Sequence, residues 1–189
     1  MRESLIILSL YRVLRDWELV RQQIIENNLL QMRALSSMKR STREIVTRLK
    51  LLTDSEIELL VEGSPQDQRH LLWMAVCRCY EFVGEFARQV LRERFLSVKL
   101  DLPLEEFDVF FNRKCEWHAE LDSIKPVTRA KLRQVLYRIM READLLTEAN
   151  FINAVMLSPR LMCSIESHNK DDLMFFPAHI PEVAARVKV

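Results

Sequence analysis

Only two of the 189 residues, Gly63 and Gly84, are glycine, and that scarcity excludes more folds than any other feature of the chain. An average chain of this length carries roughly 7% glycine, used at turns with positive φ, in phosphate-cradling loops and at bends in strands. No G-x-x-x-x-G-K-[ST] loop and no G-x-G-x-x-G turn is present, so nucleotide hydrolysis and methyl transfer through glycine-built folds are not expected. Leu, Arg and Glu dominate instead, residues that, like the Gln and Met also present, lose little rotamer freedom in a helix. The six prolines fall between periodic segments rather than within them. The fold expected is all-α, a compact helical globule.

Apolar spacing places the helices. Leu5, Ile6, Leu8, Leu10, Val13 and Leu14 predict a first helix buried on most sides, and Trp17 to Ile25 a second with Trp17, Val20, Ile24 and Ile25 on one face. The second should stop near Asn27 and Asn28, since asparagine tolerates the left-handed conformation that ends helices. Ser41 followed by Glu44 is a capping-box pattern, predicting a third helix that carries Ile45, Val46, Leu49 and Leu52 inward. Ser64 and Pro65 open the longest helical stretch, reaching about Leu96 with a bend near Gly84, and Leu71, Leu72, Met74, Val76, Tyr80, Phe82 and Val83 surround its axis. Pro103 starts a helix carrying Phe107, Phe110, Phe111 and Trp117, and Pro126 one carrying Leu132, Val135, Leu136, Ile139 and Met140. Ser158 and Pro159 start a short helix through Ile165, and Lys170 to Pro181 is expected to be irregular. The junction Gly63-Ser64-Pro65 suggests two lobes, residues 1–62 and 63–189.

Hydrophobic content of 49% suits a buried core. Cys77, Cys79, Cys115 and Cys163 lack the spacing of a disulfide framework, which suits a reduced, cytoplasmic compartment. The apolar run Leu5 to Tyr11 is too short for a bilayer span and precedes no small-residue cleavage site, so no membrane association is expected. Metal chemistry is not expected either. Cys77 and Cys79 diverge by about 200° on a helix, and Cys115 with His118 lacks a partner pair at zinc spacing. Glu105, Glu106 and Asp108 suit the dipole of a helix N-terminus better than a Mg²⁺ site. Trp73, Trp117 and the phenylalanines fall on apolar stripes and read as core rather than a base-stacking platform. His70, His168 and His179 have no evident partner in the sequence. No catalytic residue and no cofactor emerges.

Charge is the informative remainder. Lys and Arg number 28 against 27 Asp and Glu, so attraction to a polyanion must come from segregation of charge. From position 33 to 50 lie Arg33, Lys39, Arg40, Arg43, Arg48 and Lys50 against Glu44 alone, a net of +5. From 125 to 141 lie Lys125, Arg129, Lys131, Arg133, Arg138 and Arg141 with no acid, a net of +6, and Thr128 adds a hydroxyl near the helix start. Arg138 and Arg141 point away from the Leu132/Val135/Leu136/Ile139 stripe, with Arg129, Lys131 and Arg133 flanking it. Each basic helix follows a shorter amphipathic one across a polar connection, the order of a helix-turn-helix whose second helix enters the major groove, although the connections are longer than a tight turn. If six to eight of these side chains neutralise phosphates, the log–log salt slope should be on the order of −5 to −7. A solvated face, a surface for an acidic partner protein, or an RNA-binding face of the NusB type fits the same charge pattern.

Four strings, in order, carry a wider likeness: Glu26-Asn27-Asn28-Leu29-Leu30-Gln31, Arg92-Glu93-Arg94-Phe95-Leu96, Lys131-Leu132-Arg133-Gln134-Val135-Leu136 and Glu142-Ala143-Asp144-Leu145-Leu146. With them the chain resembles the BrxA family, small core components of bacteriophage-exclusion (BREX) defence systems. The resemblance spans most of the chain and matches poorly after Asn150. Asp144 stands where the family tends to have glycine, which suggests an altered helix end. The resemblance implies an all-α protein with two helix-turn-helix-like elements that binds double-stranded DNA and works beside methyltransferase, ATPase and phosphatase-like BREX proteins in a bacterial cytoplasm. It implies no enzyme. A monomer is expected.

Overall fold

The computed structural model describes residues 2–179. They form eleven α-helices, a π-helical run and a 3₁₀ turn, with extended pairing limited to two isolated bridges, Asp101 with Phe151 and Leu146 with Ile152. The packing of the described residues divides into two compact units, residues 2–84 with 158–164, and residues 85–157 with 165–179. Gly63, at the junction read from the sequence, lies within the first.

The first unit holds α1 (Arg2–Leu14), α2 (Trp17–Glu26), α3 (Leu35–Leu49), α4 (Asp54–Glu62) and α5 (Pro65–Cys79). α1 buries only Ile7 and Leu8, and Val13 is exposed, so it is not enclosed on most sides as its composition suggested. α2 is capped by Asp16, whose carboxylate accepts from the Glu18 and Leu19 amides. It gives way at Asn28 with φ of 45°, as its sequence required.

α3 begins six residues earlier than the Ser41 box predicted, because Met38 and Thr42 extend the inward stripe of Ile45, Val46 and Leu49 by another turn. Burying that turn outweighs the missing cap, since Ala34 offers no side-chain bond. The functioning capping box is Thr53 with Glu56 at the head of α4. Glu56 also receives both arms of Arg78 at 2.7 Å, its own side chain fully buried. Arg78 further donates to the Leu51 carbonyl at 2.8 Å, so one guanidinium ties α5 to α4 and its approach. Gly63 closes α4 at φ −74°, and a Cβ there would lie 2.4 Å from the Leu59 carbonyl oxygen. Its glycine is required by close approach, not by φ.

The long stretch from Pro65 does not run to Leu96. α5 buries His70, Leu71, Trp73, Met74, Val76 and Cys77 as expected of a central helix. It ends at Tyr80, which is extended (φ −122°, ψ 100°), four residues before the bend expected at Gly84. Beyond the break come α6 (Glu81–Phe86), the π-helical run Ala87–Arg92 and α7 (Glu93–Leu96).

The second unit is built on α8 (Leu104–Cys115), the short α9 (Ala119–Asp122) and α10 (Pro126–Glu142). Phe86 meets Phe110 edge-on at 5.4 Å and Phe107 at 6.2 Å between ring centres, an aromatic core of the kind expected of α8. Trp117 does not join it and is 83% exposed. α10 ends in a Schellman arrangement: the Leu145 amide bonds Met140, the Asp144 amide bonds Arg141, and Asp144 itself has φ of 62°. Aspartate thus takes the left-handed conformation that glycine prefers at a helix end.

α11 (Pro159–His168) starts where Ser158 and Pro159 predicted and runs three residues past Ile165, with residues up to 164 in the first unit. Lys170–Phe175 is a 3₁₀ turn rather than irregular chain, and it buries Asp172, Leu173 and Phe175. Arg92 fixes the chain just past that turn by donating to the Phe176 and Ala178 carbonyls. Pro181 lies outside the described residues.

Candidate nucleic-acid interface

On α3 the apolar and basic positions interleave so that they part cleanly. At 100° per residue, Ser36, Lys39, Arg40, Arg43, Thr47 and Lys50 fall within an arc of about 100°, roughly 21 Å long, opposite Met38, Ile45 and Leu49. All six are exposed, as is Arg33 ahead of the helix. Among the described residues, no carboxylate lies within ion-pair reach of Arg33, Lys39, Arg40 or Lys50.

Glu44, the one acid of the run, is drawn aside. The Tyr80 hydroxyl donates to its Oε2 at 2.7 Å. Burial first, and then this bond, push the Tyr80 hydroxyl up to about 12, so it remains a donor throughout the physiological range. Arg43 sits 3.8 Å from the other oxygen with both groups exposed, a contact worth little. Arg48 departs from expectation. It is half-buried, and its Nε donates to the Glu44 carbonyl at 3.0 Å. Sequence reasoning missed Tyr80, whose only signal was a tyrosine at the end of an apolar run.

α10 arranges its charge differently. The side turned inward carries Leu136, Tyr137 and Met140, not Leu132, which is 43% exposed. The buried stripe is thereby rotated roughly a quarter turn from the one predicted, and Arg129 and Arg133 come with it. Arg129 donates to Asp108 Oδ1 at 2.9 Å, to the Asp108 carbonyl at 2.8 Å and to Asn112 at 2.6 Å, and lies 4.5 Å over the Phe111 ring. Arg133 donates to the other Asp108 oxygen.

Asp108 is therefore no dipole-complementing surface acid but a two-arginine clamp between α8 and α10. Arg141 donates to Asn150 at 2.7 Å and lies 3.7 Å from Glu148. Lys125, Thr128, Lys131 and Arg138 remain exposed, Arg138 within 3.8 Å of an exposed Glu142. The two carboxylates beside Asp108 part company with it: Glu106 accepts from Arg94, and Glu105 is exposed.

Among the described residues no group of three His, Cys, Asp or Glu is placed to hold a metal ion, and no helix is long and apolar enough to cross a membrane. The described residues define a two-unit helical protein whose most open cationic surface is one side of a single helix. The chain belongs to the BrxA family, whose model matches residues 1–169. A BREX protein BrxA of Escherichia coli O9:H4 (strain HS) is 27% identical over 175 residues, covering 92% of this chain and 82% of that protein. BREX protein BrxA of Bacillus cereus (strain H3081.97) is 27% identical over 127 residues, covering 67% and 64%. A crystal structure of an uncharacterized protein from Magnetospirillum magneticum has the same fold, with a TM-score of 0.80 at 22% identity over 93% of this chain and 91% of that one.

Proposed function

We propose that this chain is a non-catalytic component of a BREX phage-defence system that binds double-stranded DNA through the exposed face of α3. The observation that carries the reading is the segregation on that helix: Lys39, Arg40, Arg43 and Lys50 share one outward face with two hydroxyl side chains, and the only nearby acid is held by Tyr80. Among the described residues, three of these cations have no counter-charge and Arg43 has only the exposed 3.8 Å contact with Glu44. That arrangement on a rigid helix suits phosphates along a duplex, and Ser36 and Thr47 add neutral donors to phosphate oxygens. α2 packs against α3, and the pair is read as helix-turn-helix-like with α3 the DNA-facing helix and an eight-residue connection. α10, following α8 and α9, is the second such element, and offers Lys125, Thr128, Lys131 and Arg138 as a weaker contact surface. The relatives' name, BREX protein BrxA, supports other BREX proteins as its working partners.

The test is a salt titration of fluorescence anisotropy with duplex DNA, duplex RNA and single strands. Duplex DNA should bind most tightly, with a log–log slope of about −4, one phosphate for each α3 cation. Preference for RNA transfers the face to RNA recognition. No duplex affinity at physiological salt leaves the stripe as a surface for an acidic protein and refutes the DNA reading.

A further inference from the structure

Between the two basic runs the second unit carries a segment of opposite sign. Residues 116–123 hold Glu116, Glu120 and Asp122, all exposed, with no lysine or arginine. At its centre stands Trp117, 83% exposed. The same segment walls a cleft of about 310 Å³ between α8 and the start of α10, its lining shared between Phe111, Leu121, Ile124 and Pro126 and the more polar Asn112, Cys115, Asp122 and Arg129. Just past it Val127, on the first turn of α10, is 82% exposed.

An exposed tryptophan on a segment that also walls a cleft of mixed polarity admits two classes of occupant, a stacked base or a protein side chain. The charge decides between them. Three carboxylates within eight residues repel a phosphate backbone, and Glu120 is held firmly ionised: its own backbone amide first, and then His118 at 3.0 Å, keep its carboxyl below the usual carboxylate range. An exposed tryptophan rimmed by charge, on a segment that walls a cleft, is instead the anatomy of a protein-binding hot spot.

We infer that residues 116–124 form a docking knuckle for a basic segment of a partner protein, with Trp117 and the cleft taking its apolar side chains and Glu116, Glu120 and Asp122 its lysines or arginines. The BREX assignment supplies the partners to test, while the surface itself does not depend on DNA binding.

Full-length wild type, Trp117→Ala, Trp117→Phe and the pair Glu120→Lys with Asp122→Lys are titrated by thermophoresis against each purified protein encoded with this chain's defence system. Duplex-DNA anisotropy and far-UV circular dichroism are recorded on the same samples. At least one partner should bind wild type with an affinity that weakens as salt rises. That binding should fall about 30-fold with Trp117→Ala and tenfold or more with the charge reversal, and recover in part with Trp117→Phe, at unchanged helicity, with DNA affinity unchanged in the Trp117 variants and unchanged or higher in the charge reversal. Failure of every partner to bind wild type, or binding of both variants as tight as wild type, overturns the inference. So does a loss of DNA affinity in Trp117→Ala, which would assign the knuckle to nucleic acid. Loss of DNA binding confined to α3 variants bears on the DNA reading alone.

Discussion

α3 and α10 carry nearly equal positive charge and present it in opposite ways. On α3, Lys39, Arg40, Arg43 and Lys50 stand at positions out of phase with Met38, Ile45, Val46 and Leu49, so folding the apolar stripe inward turns these four to solvent, and only Arg48 lies half-buried beside it. On α10, Arg129 and Arg133 are in phase with Leu136 and Met140, at i+3 and i+4 spacings. Folding that stripe inward brings the two arginines onto α8, where Asp108 receives both. A run of one sign along a chain therefore says little until the phase of each charge against the buried stripe is known. The acid that neutralises it can come from 21 or 25 residues away.

Four experiments bear on this contrast. Arg78→Ala leaves the fully buried Glu56 without its counter-charge, and loss of a buried pair's partner costs about 3–5 kcal/mol. Chemical denaturation should show that loss, with hydrogen exchange rising in the first unit, where α5 supports α3, and not around α10. Arg40→Glu with Arg43→Glu should leave stability unchanged and lower duplex affinity about 100-fold, taking ~1.4 kcal/mol for each phosphate contact. The anisotropy assay reads this directly, and an affinity within a few-fold of wild type rules α3 out as the binding face.

Asp108→Ala should reverse the pattern. Two half-buried arginines lose their shared acceptor, a cost of roughly 1–2 kcal/mol in thermal or chemical unfolding, while DNA affinity holds or rises as the guanidiniums are freed. A fall in affinity would mean that the clamp shapes the binding surface. Smallest is Lys131→Glu on the open side of α10, expected to weaken duplex binding by about threefold. A loss as large as that of the α3 pair would make the two helices equal partners.

The sequence carried the helical class and most helix positions because periodicity and the Asn28, Ser64, Pro126 and Ser158 signals are local. Three features were not local. The start of α3 was misplaced because a capping pattern at Ser41 was weighed above the burial of Met38. The break at Tyr80 has no proline or glycine to mark it and accompanies a hydroxyl bond to Glu44, thirty-six residues earlier in the chain. The rotation of α10 came from Tyr137, a residue left out of the apolar stripe although it is 1% exposed and bonds the Pro103 carbonyl. At the candidate interface, Lys39, Arg40, Arg43 and Lys50 were legible as a face, whereas the loss of Arg129, Arg133 and Arg141 to internal bonds depended on Asp108 and Asn150, which no helical wheel of α10 contains.

Arg15, Asn28, Gln31, Val98, Asp144 and Asn150, none of them glycine, hold positive φ, and this says something about how the chain reaches its fold. A side chain at nearly every position removes the mirror half of backbone space from the unfolded ensemble, so less entropy is lost on folding. The penalty moves into the native state, where each such reversal carries roughly 1 kcal/mol of steric strain. It is sharpest at the β-branched Val98, held at φ of 58° by the end of α7. Helix ends and the connections after them are thus where the described residues hold this backbone strain, and where glycine could enter without redirecting the backbone.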